Sequence, residues 1–269
     1  TAWMPYLSPK TYNLSPPDGT KTVYVEYKNG AGLTAIFSDT IILDTTPPVI
    51  TAIITPAPNA AGWNNTDVTV SFSATDELSG IANVTSPITV ITEGFGQLIT
   101  GTAADKAGNQ SVKSAVVNID KTAPETVITY LPEFTATDFT LRAEATDNLS
   151  NVEAVEYRID NGPWLGMVLS GGSGVTTTTA TASIAITSLA DGPHTIYVRS
   201  RDYTGNWSQP ASRTFTVDTT PPVITASLLS LSQDYLYISK LKLRLTKDEV
   251  TQKIVLVLMT DGAEEQKIE

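Results

Sequence analysis

The chain has 269 residues, 17 basic and 28 acidic side chains for a net charge of −11, and no cysteine. The negative charge argues against nucleic acid and anionic membrane surfaces as partners, because both would repel it. The missing cysteines exclude a disulfide framework and a thiolate metal site, and no apolar run approaches the roughly 18 residues that span a bilayer.

A hairpin pattern occurs three times along the chain, and each copy ends at an aspartate followed within a few residues by proline. The endings are "DTTPP" at 44–48, "DKTAP" at 120–124 and "DTTPP" at 218–222. Each hairpin has a glycine at its turn: Gly32, Gly108 and Gly205. Apolar residues alternate in the strand before each aspartate, which predicts a shared inward face. These residues are Ile41 and Leu43, Val117 and Ile119, and Phe215 and Val217.

A second block occurs twice, as "TDVTVSFSATDELSG" from Thr66 and "TDFTLRAEATDNLSN" from Thr137. Its alternation predicts a strand with one apolar face in each copy. The inward residues are Val68, Val70, Phe72 and Ala74 in the first copy, and Phe139, Leu141, Ala143 and Ala145 in the second. The linker aspartates lie 76 and 98 residues apart, the size of a small β-sandwich. No segment shows a helical period, so we expect an all-β chain.

The order of these blocks predicts four successive domains. Residues 1–46 form the C-terminal part of one sandwich, and 47–123 and 124–220 form two whole sandwiches. Residues 221–269 form the N-terminal part of a divergent fourth, in which "KLKLRLTKDEV" alternates like the second block.

The blocks "ATDELSG", "ADKAGN", "RDYTGN" and "DTTPPVI" resemble bacterial immunoglobulin-like repeats with some fibronectin type III character, over residues 1–222. This resemblance implies tandem seven-stranded Greek-key sandwiches in an extracellular or cell-surface protein. It also implies a role as a spacer, adhesive or scaffold module, and it names no ligand.

The proline-bearing linkers predict an extended rod of tandem immunoglobulin-like sandwiches. Proline fixes φ and lacks an N–H, so neither sheet extends through the junction and the linker is short and stiff. Small-angle scattering checks this expectation. A radius of gyration near about 18 Å, the value for one compact domain of this length, would contradict it.

Acidic residues are predicted to meet at each junction between domains. In a sandwich of this kind, two loops share the end at which the preceding linker arrives. The two sets are Asp44, Asp76, Glu77 and Asp105, and Asp120, Asp147 and Asp202. Carboxylates from three segments are the ligands that Ca²⁺ prefers, which predicts interdomain calcium. The alternative is that these aspartates only cap backbone N–H groups in turns.

No catalytic constellation stands out. His194 is the only histidine, and its place in "DGPHTIY" favours a surface turn. Trp3, Trp63, Trp164 and Trp207 suit either strand packing or a sugar-stacking platform. Two functions therefore stay open: a non-catalytic stalk or scaffold, or an accessory carbohydrate-binding region of a polysaccharide-active enzyme acting through Trp164 or Trp207.

The expected partners are neighbouring immunoglobulin-like domains of the same or an adjacent chain, with a glycan or a surface protein as a further partner. The chain opens at Thr1 within one sandwich and closes within another, which indicates a fragment or a processed product. The two half-domains are either cuts through longer repeats or ends that complete each other between molecules by strand addition.

Overall fold

The computed structural model describes residues 3–5, 11–221, 256–260 and 263–268, and the described part is almost entirely β-structure. Strands β1 to β10 are Gly19–Lys28, Thr34–Leu43, Val49–Thr55, Val68–Thr75, Ile81–Val84, Ile88–Val90, Gly94–Asp105, Gln110–Ile119, Glu125–Tyr130 and Phe134–Thr135. Strands β11 to β19 are Phe139–Thr146, Val152–Ile159, Leu165–Gly166, Val168–Ser170, Thr177–Ile184, Gly192–Asp202, Ala211–Val217, Leu256–Thr260 and Ala263–Ile268. One 3₁₀ turn, Ile186–Ser188, lies between β15 and β16.

The strands of the two central segments form two pairs of sheets, with six strands in the first pair and nine in the second, where the resemblance implied seven. Residues 49–119 form two three-stranded sheets, β3-β4-β6 and β5-β7-β8. Residues 125–217 form a five-stranded sheet, β10-β17-β16-β12-β13, and a four-stranded sheet, β14-β15-β11-β9. The all-β prediction is confirmed. Among the described residues, no helix is long and apolar enough to cross a membrane.

The alternating residues of β4 and β8 form the core between the first two sheets. Val68 and Val70 are fully buried, and Phe72 packs with them against Val117 and Ile119 of the facing sheet. The predicted inward face is therefore confirmed here, with Ala74 half-buried at its end. Burial of such side chains contributes about 1.5–3 kcal/mol each, so this cluster is a substantial source of stability for residues 49–119.

The second pair of sheets has the same inward pattern. Leu141, Ala143 and Ala145 of β11 are fully buried, and Phe215 and Val217 of β17 are almost so. Phe139 is half-buried, and its ring meets Phe215 edge-on with centroids 5.3 Å apart.

The first hairpin differs from the prediction. Within the described part of the chain, strands β1 and β2 pair only with each other, in register from Gly19 opposite Leu43 to Lys28 opposite Thr34. Ile41 is 52% exposed, so the inward face expected for it is wrong. The physical reason is that no second sheet covers this hairpin among the described residues. Alternation marks the face that a strand offers for packing, and it does not supply the partner.

The chain divides into two compact units, which are residues 1–131, 140–182 and 195–213, and residues 132–139, 183–194 and 214–269. All the acidic residues predicted as metal ligands fall in the first unit. The divergent fourth copy lies largely outside the described residues, including "KLKLRLTKDEV"; its described part is the hairpin of β18 and β19. The predicted domain boundaries stay a prediction.

Candidate metal centre

The structure brings carboxylates from three segments together twice. One oxygen each from Asp44, Asp76 and Asp105 lie within 4.8 Å of one another, and we call this the first carboxylate cluster. The second carboxylate cluster is Asp120, Asp147 and Asp202, with the same spacing. Each cluster takes one aspartate from a linker, one from the residue after a strand and one from the end of a strand.

Six of the seven predicted residues therefore meet as expected. Glu77 does not join the first cluster: it is exposed and lies outside the three carboxylates that approach each other.

The loop aspartates cap their own turns, as the structural alternative predicts. Asp105 accepts the N–H groups of Gly108 and Asn109 at 2.7 and 2.9 Å. Gly108 has a φ of 97°, a conformation that a glycine adopts without strain, which explains the glycine at this turn. Asp147 uses only Oδ2 in its turn, which accepts the N–H groups of Leu149 and Asn151 at 3.0 and 2.7 Å. Turn capping thus occupies one oxygen of Asp147 and leaves the other.

The linker aspartates bridge two segments. Asp120 accepts the N–H of Thr122 on Oδ1 at 3.1 Å and that of Ser150 on Oδ2 at 2.9 Å. Asp44 does the same with Thr46 and Ser79, each at 3.1 Å. Each linker aspartate therefore ties its own linker to the loop that carries the second aspartate.

Two asparagines that sequence reasoning did not assign complete these junctions. The Nδ2 of Asn109 donates to Asp105 Oδ2 at 2.8 Å and to the carbonyl of Asp44 at 3.1 Å. The Nδ2 of Asn206 donates to Asp202 Oδ2 at 2.8 Å and to the carbonyl of Asp120 at 3.0 Å. The signal was present in "AGN" and "TGN", where asparagine follows the turn glycine in both copies.

The second cluster is the more strongly desolvated of the two. Asp120 and Asp202 are fully buried and Asp147 is 2% exposed. The Oδ1 of Asp147 is buried without a hydrogen-bond donor. Burial raises the pKa of Asp120, and the charge of Asp147 adds to this, against hydrogen bonds from Ser150 and Thr122 that lower it. An unpaired buried carboxylate oxygen beside two further carboxylates is costly unless a cation neutralises them.

The first cluster is better satisfied by the protein itself. Asp76 is only half-buried, and its Oδ1 accepts the N–H of Gly80 at 2.7 Å. Burial works to raise the pKa of Asp105, but hydrogen bonds from Asn109 and Gly108 outweigh it and hold that pKa below its usual value.

The tryptophans do not form one platform. Trp63 packs on Phe95 and Trp3 lies under Lys28, with centroid distances of 5.8 and 5.4 Å. Trp164 and Trp207 instead share Arg199, whose guanidinium carbon lies 4.1 and 4.0 Å from their ring centroids.

These two rings belong to a ladder on the outer face of β16. Arginines alternate with aromatic rings along it. Its members are Tyr197, Arg158, Trp164, Arg199, Trp207 and Arg201. Glu156 accepts two hydrogen bonds from Arg199, and Glu153 pairs with Arg201. The rings therefore already carry guanidinium groups at the positions where a sugar would stack.

His194 lies in a packed rather than a catalytic setting. Its Nε2 donates to the carbonyl of Ala190 at 2.8 Å, and its ring packs 5.6 Å from that of Phe215.

Comparison with known proteins supports the resemblance found in the sequence. Residues 117–198 match the family model described as "Bacterial Ig domain". No curated protein sequence matches the chain. The fibronectin(III)-like modules of Clostridium thermocellum CbhA share 14% identity over 62% of this chain and 94% of theirs, with a TM-score of 0.33.

Two further solved structures are similar over more of the chain. A tetra-tandem repeat from the extending region of a large adhesion protein shares 20% identity over 79% of this chain and 60% of that chain, with a TM-score of 0.36. The SGBP-B of the mixed-linkage glucan utilization locus of Bacteroides ovatus shares 14% identity over 84% of this chain and 59% of that chain, with a TM-score of 0.22.

Proposed function

We propose that this chain, which carries a bacterial immunoglobulin-like domain, is a non-catalytic stalk or scaffold segment of an extracellular bacterial protein whose junctions are stiffened by calcium. The observation that carries the proposal is the meeting of a linker aspartate with two loop aspartates, twice in one chain. A cation bound there joins the linker to the domain that follows it. The module then transmits position and load from one repeat to the next.

The second carboxylate cluster is the stronger of the two calcium sites. Asp120, Asp147 and Asp202 supply hard oxygen ligands, which suit Ca²⁺, and backbone carbonyls and water complete the six to eight oxygens it takes. The unpaired Oδ1 of Asp147 is the oxygen that most needs a cation, since every hydrogen bond of this carboxylate goes to Oδ2.

Calorimetric titration of the whole chain with calcium tests the proposal. We expect binding at the clusters with Kd on the order of 10⁻⁴ M, the range of extracellular calcium modules. The variant Asp147→Asn should lose the heat of the second cluster and keep that of the first. Asp39→Asn is the matched control, because Asp39 is an exposed carboxylate outside both clusters, and its Oδ1 accepts the N–H of Thr40. No heat at millimolar calcium would leave turn capping as the whole role of the aspartates.

The competing function, carbohydrate binding by Trp164 or Trp207, predicts specific glycan binding that is lost in Trp164→Ala. A glycan array probed with the whole chain and with this variant separates the two functions. The stalk proposal expects no difference between them, because the ladder occupies the ring with arginine contacts.

The ladder makes a prediction of its own. Trp164→Ala removes the ring between Arg158 and Arg199 and should lower the free energy of unfolding by roughly 2 kcal/mol, from two cation–π contacts and lost apolar burial. Denaturant unfolding measures this loss. Trp164→Phe keeps a ring there and should recover more than half of it; equal losses in the two variants would contradict the cation–π interpretation.

A further inference from the structure

Each linker is also held by an acidic side chain that lies just before a strand. Asp18 precedes β1, and its carboxylate accepts the N–H and Oγ1–H of Thr45 at 3.0 and 2.8 Å. The same carboxylate accepts the hydroxyl of Thr46 at 2.7 Å. Three hydrogen bonds to one carboxylate thus hold the two threonines that follow Asp44.

The same contact recurs at the third linker. Asp191 precedes β16, and its carboxylate accepts the N–H and Oγ1–H of Thr219 at 3.1 and 2.7 Å. It also accepts the hydroxyl of Thr220 at 2.8 Å. The middle linker uses a longer acid for the same purpose: Glu93 accepts the N–H of Lys121, and the hydroxyl of Thr122 at 3.0 and 3.1 Å on its two oxygens.

These three acids occupy one position in the repeat. Asp18, Glu93 and Asp191 lie 26, 27 and 27 residues before the linker aspartate, and each is followed by the glycine that opens a strand. Such recurrence in three copies indicates that the contact is a regular structural feature of the repeat. It also explains the polar pair in "DTTPP", because the threonines donate both backbone and hydroxyl hydrogens to one carboxylate.

We infer that Asp18, Glu93 and Asp191 are positioning residues whose hydrogen bonds, here called the lock, hold the linkers without a cation. At the first two linkers, the lock holds Asp44 and Asp120 where the carboxylate clusters need them. At the first two linkers, the lock acts on the residues that directly follow the linker aspartate of the cluster. Hydrogen bonds from Thr45 lower the pKa of Asp18, and those from Thr219 lower the pKa of Asp191, so both acids are ionised at neutral pH and are strong acceptors.

The lock bears on cation affinity through preorganisation. A linker aspartate that is held in place before the cation arrives loses less conformational freedom on binding. This consequence rests on the proposed calcium sites, whereas the lock itself is measured without calcium.

Amide hydrogen exchange of the whole chain in a chelator tests the lock. In Glu93→Ala, the Lys121 amide loses its acceptor and should exchange at least about tenfold faster. The Ser150 amide, which donates to Asp120, should also exchange faster, because Asp120 is no longer held in place. Glu125→Ala is the matched control: it removes the same charge beside the same linker, from an exposed side chain at the start of β9.

Exchange of the Lys121 amide tests the lock, and exchange of the Ser150 amide tests its positioning role. If Lys121 keeps its protection in Glu93→Ala, the lock is wrong. If Lys121 loses protection while Ser150 keeps it, the lock exists and the positioning role is wrong, whatever calcium does.

A calcium titration of the parent chain and of Glu93→Ala then measures how strongly the lock affects calcium binding. Glu93→Ala should weaken binding at the second cluster about fivefold to tenfold and leave the first cluster unchanged. If the parent chain binds no calcium, the calcium-based function is wrong. Hydrogen exchange of the Lys121 and Ser150 amides still decides whether the lock exists.

Discussion

Chelation of calcium is expected to lower the melting temperature of the intact chain by on the order of 10 °C. A ligand that binds only the folded state stabilises it by about 1.4 kcal/mol when its concentration is about tenfold above Kd, as about 1 mM calcium is for a Kd on the order of 10⁻⁴ M. One kcal/mol shifts the melting temperature of a domain of 60–100 residues by about 4–8 °C. Differential scanning calorimetry in millimolar calcium, and then in excess chelator, measures the difference.

The two clusters should differ in this response. Removing the cation from the second cluster leaves Asp120 and Asp147 buried next to each other with one oxygen unpaired, and removing it from the first leaves the half-buried Asp76 partly solvated. Asp120→Asn should therefore abolish most of the calcium effect on stability, and Asp76→Asn a smaller part of it.

Replacement also has an effect without calcium. Asp147→Asn removes one of three mutually repelling charges while its amide oxygen still accepts the N–H groups of Leu149 and Asn151, so it should make the calcium-free chain more stable, not less. Asp39→Asn again serves as the exposed control. An equal calcium response in the parent and in Asp120→Asn would contradict a cation at the second cluster.

The candidate site could be predicted from the sequence because it depends on loops at the ends of strands. Once the repeats are aligned, Asp76 and Asp147 fall at one position and Asp105 and Asp202 at another, and the sandwich topology brings those loops to the arriving linker. Glu77 is predicted as a ligand because it is an acid in the same loop as Asp76. Its neighbour Asp76 follows the strand directly and turns inward, which leaves Glu77 facing solvent.

The contacts that hold the site could not be predicted in the same way. Asp18 and Thr45 are 27 residues apart, and Asn206 reaches a carbonyl 86 residues away. Such hydrogen bonds depend on the register of strands and on side-chain reach, neither of which is visible in local alternation. The recurrence of an acid before a glycine was visible, but its partner was not.

The largest effect of a single substitution is expected at Gly101 in β7. A Cβ added there would lie 2.5 Å from ring carbons of Phe72, which is 7% exposed in the facing sheet. The ring therefore packs directly on the backbone of the glycine. Gly101→Ala should force the ring or the sheet to move and lower the free energy of unfolding by about 3 kcal/mol, which denaturant unfolding measures.

The repeat itself supplies the argument for a rescue. The position of Phe72 is held in the next copy by Ala143, and that of Gly101 by Val198, both of them fully buried. In one sandwich a large residue thus faces glycine, and in the other a small residue stands opposite a larger one. The double variant Gly101→Ala with Phe72→Leu should be more stable than Gly101→Ala alone, because the two changes compensate in volume.

Gly166→Ala is the control, since a Cβ there meets no atom within 4 Å and should cost little or slightly stabilise. The loss of unfolding free energy in the double variant could instead equal the sum of the losses in the two single variants. In that case the contact between ring and glycine does not limit packing in this core.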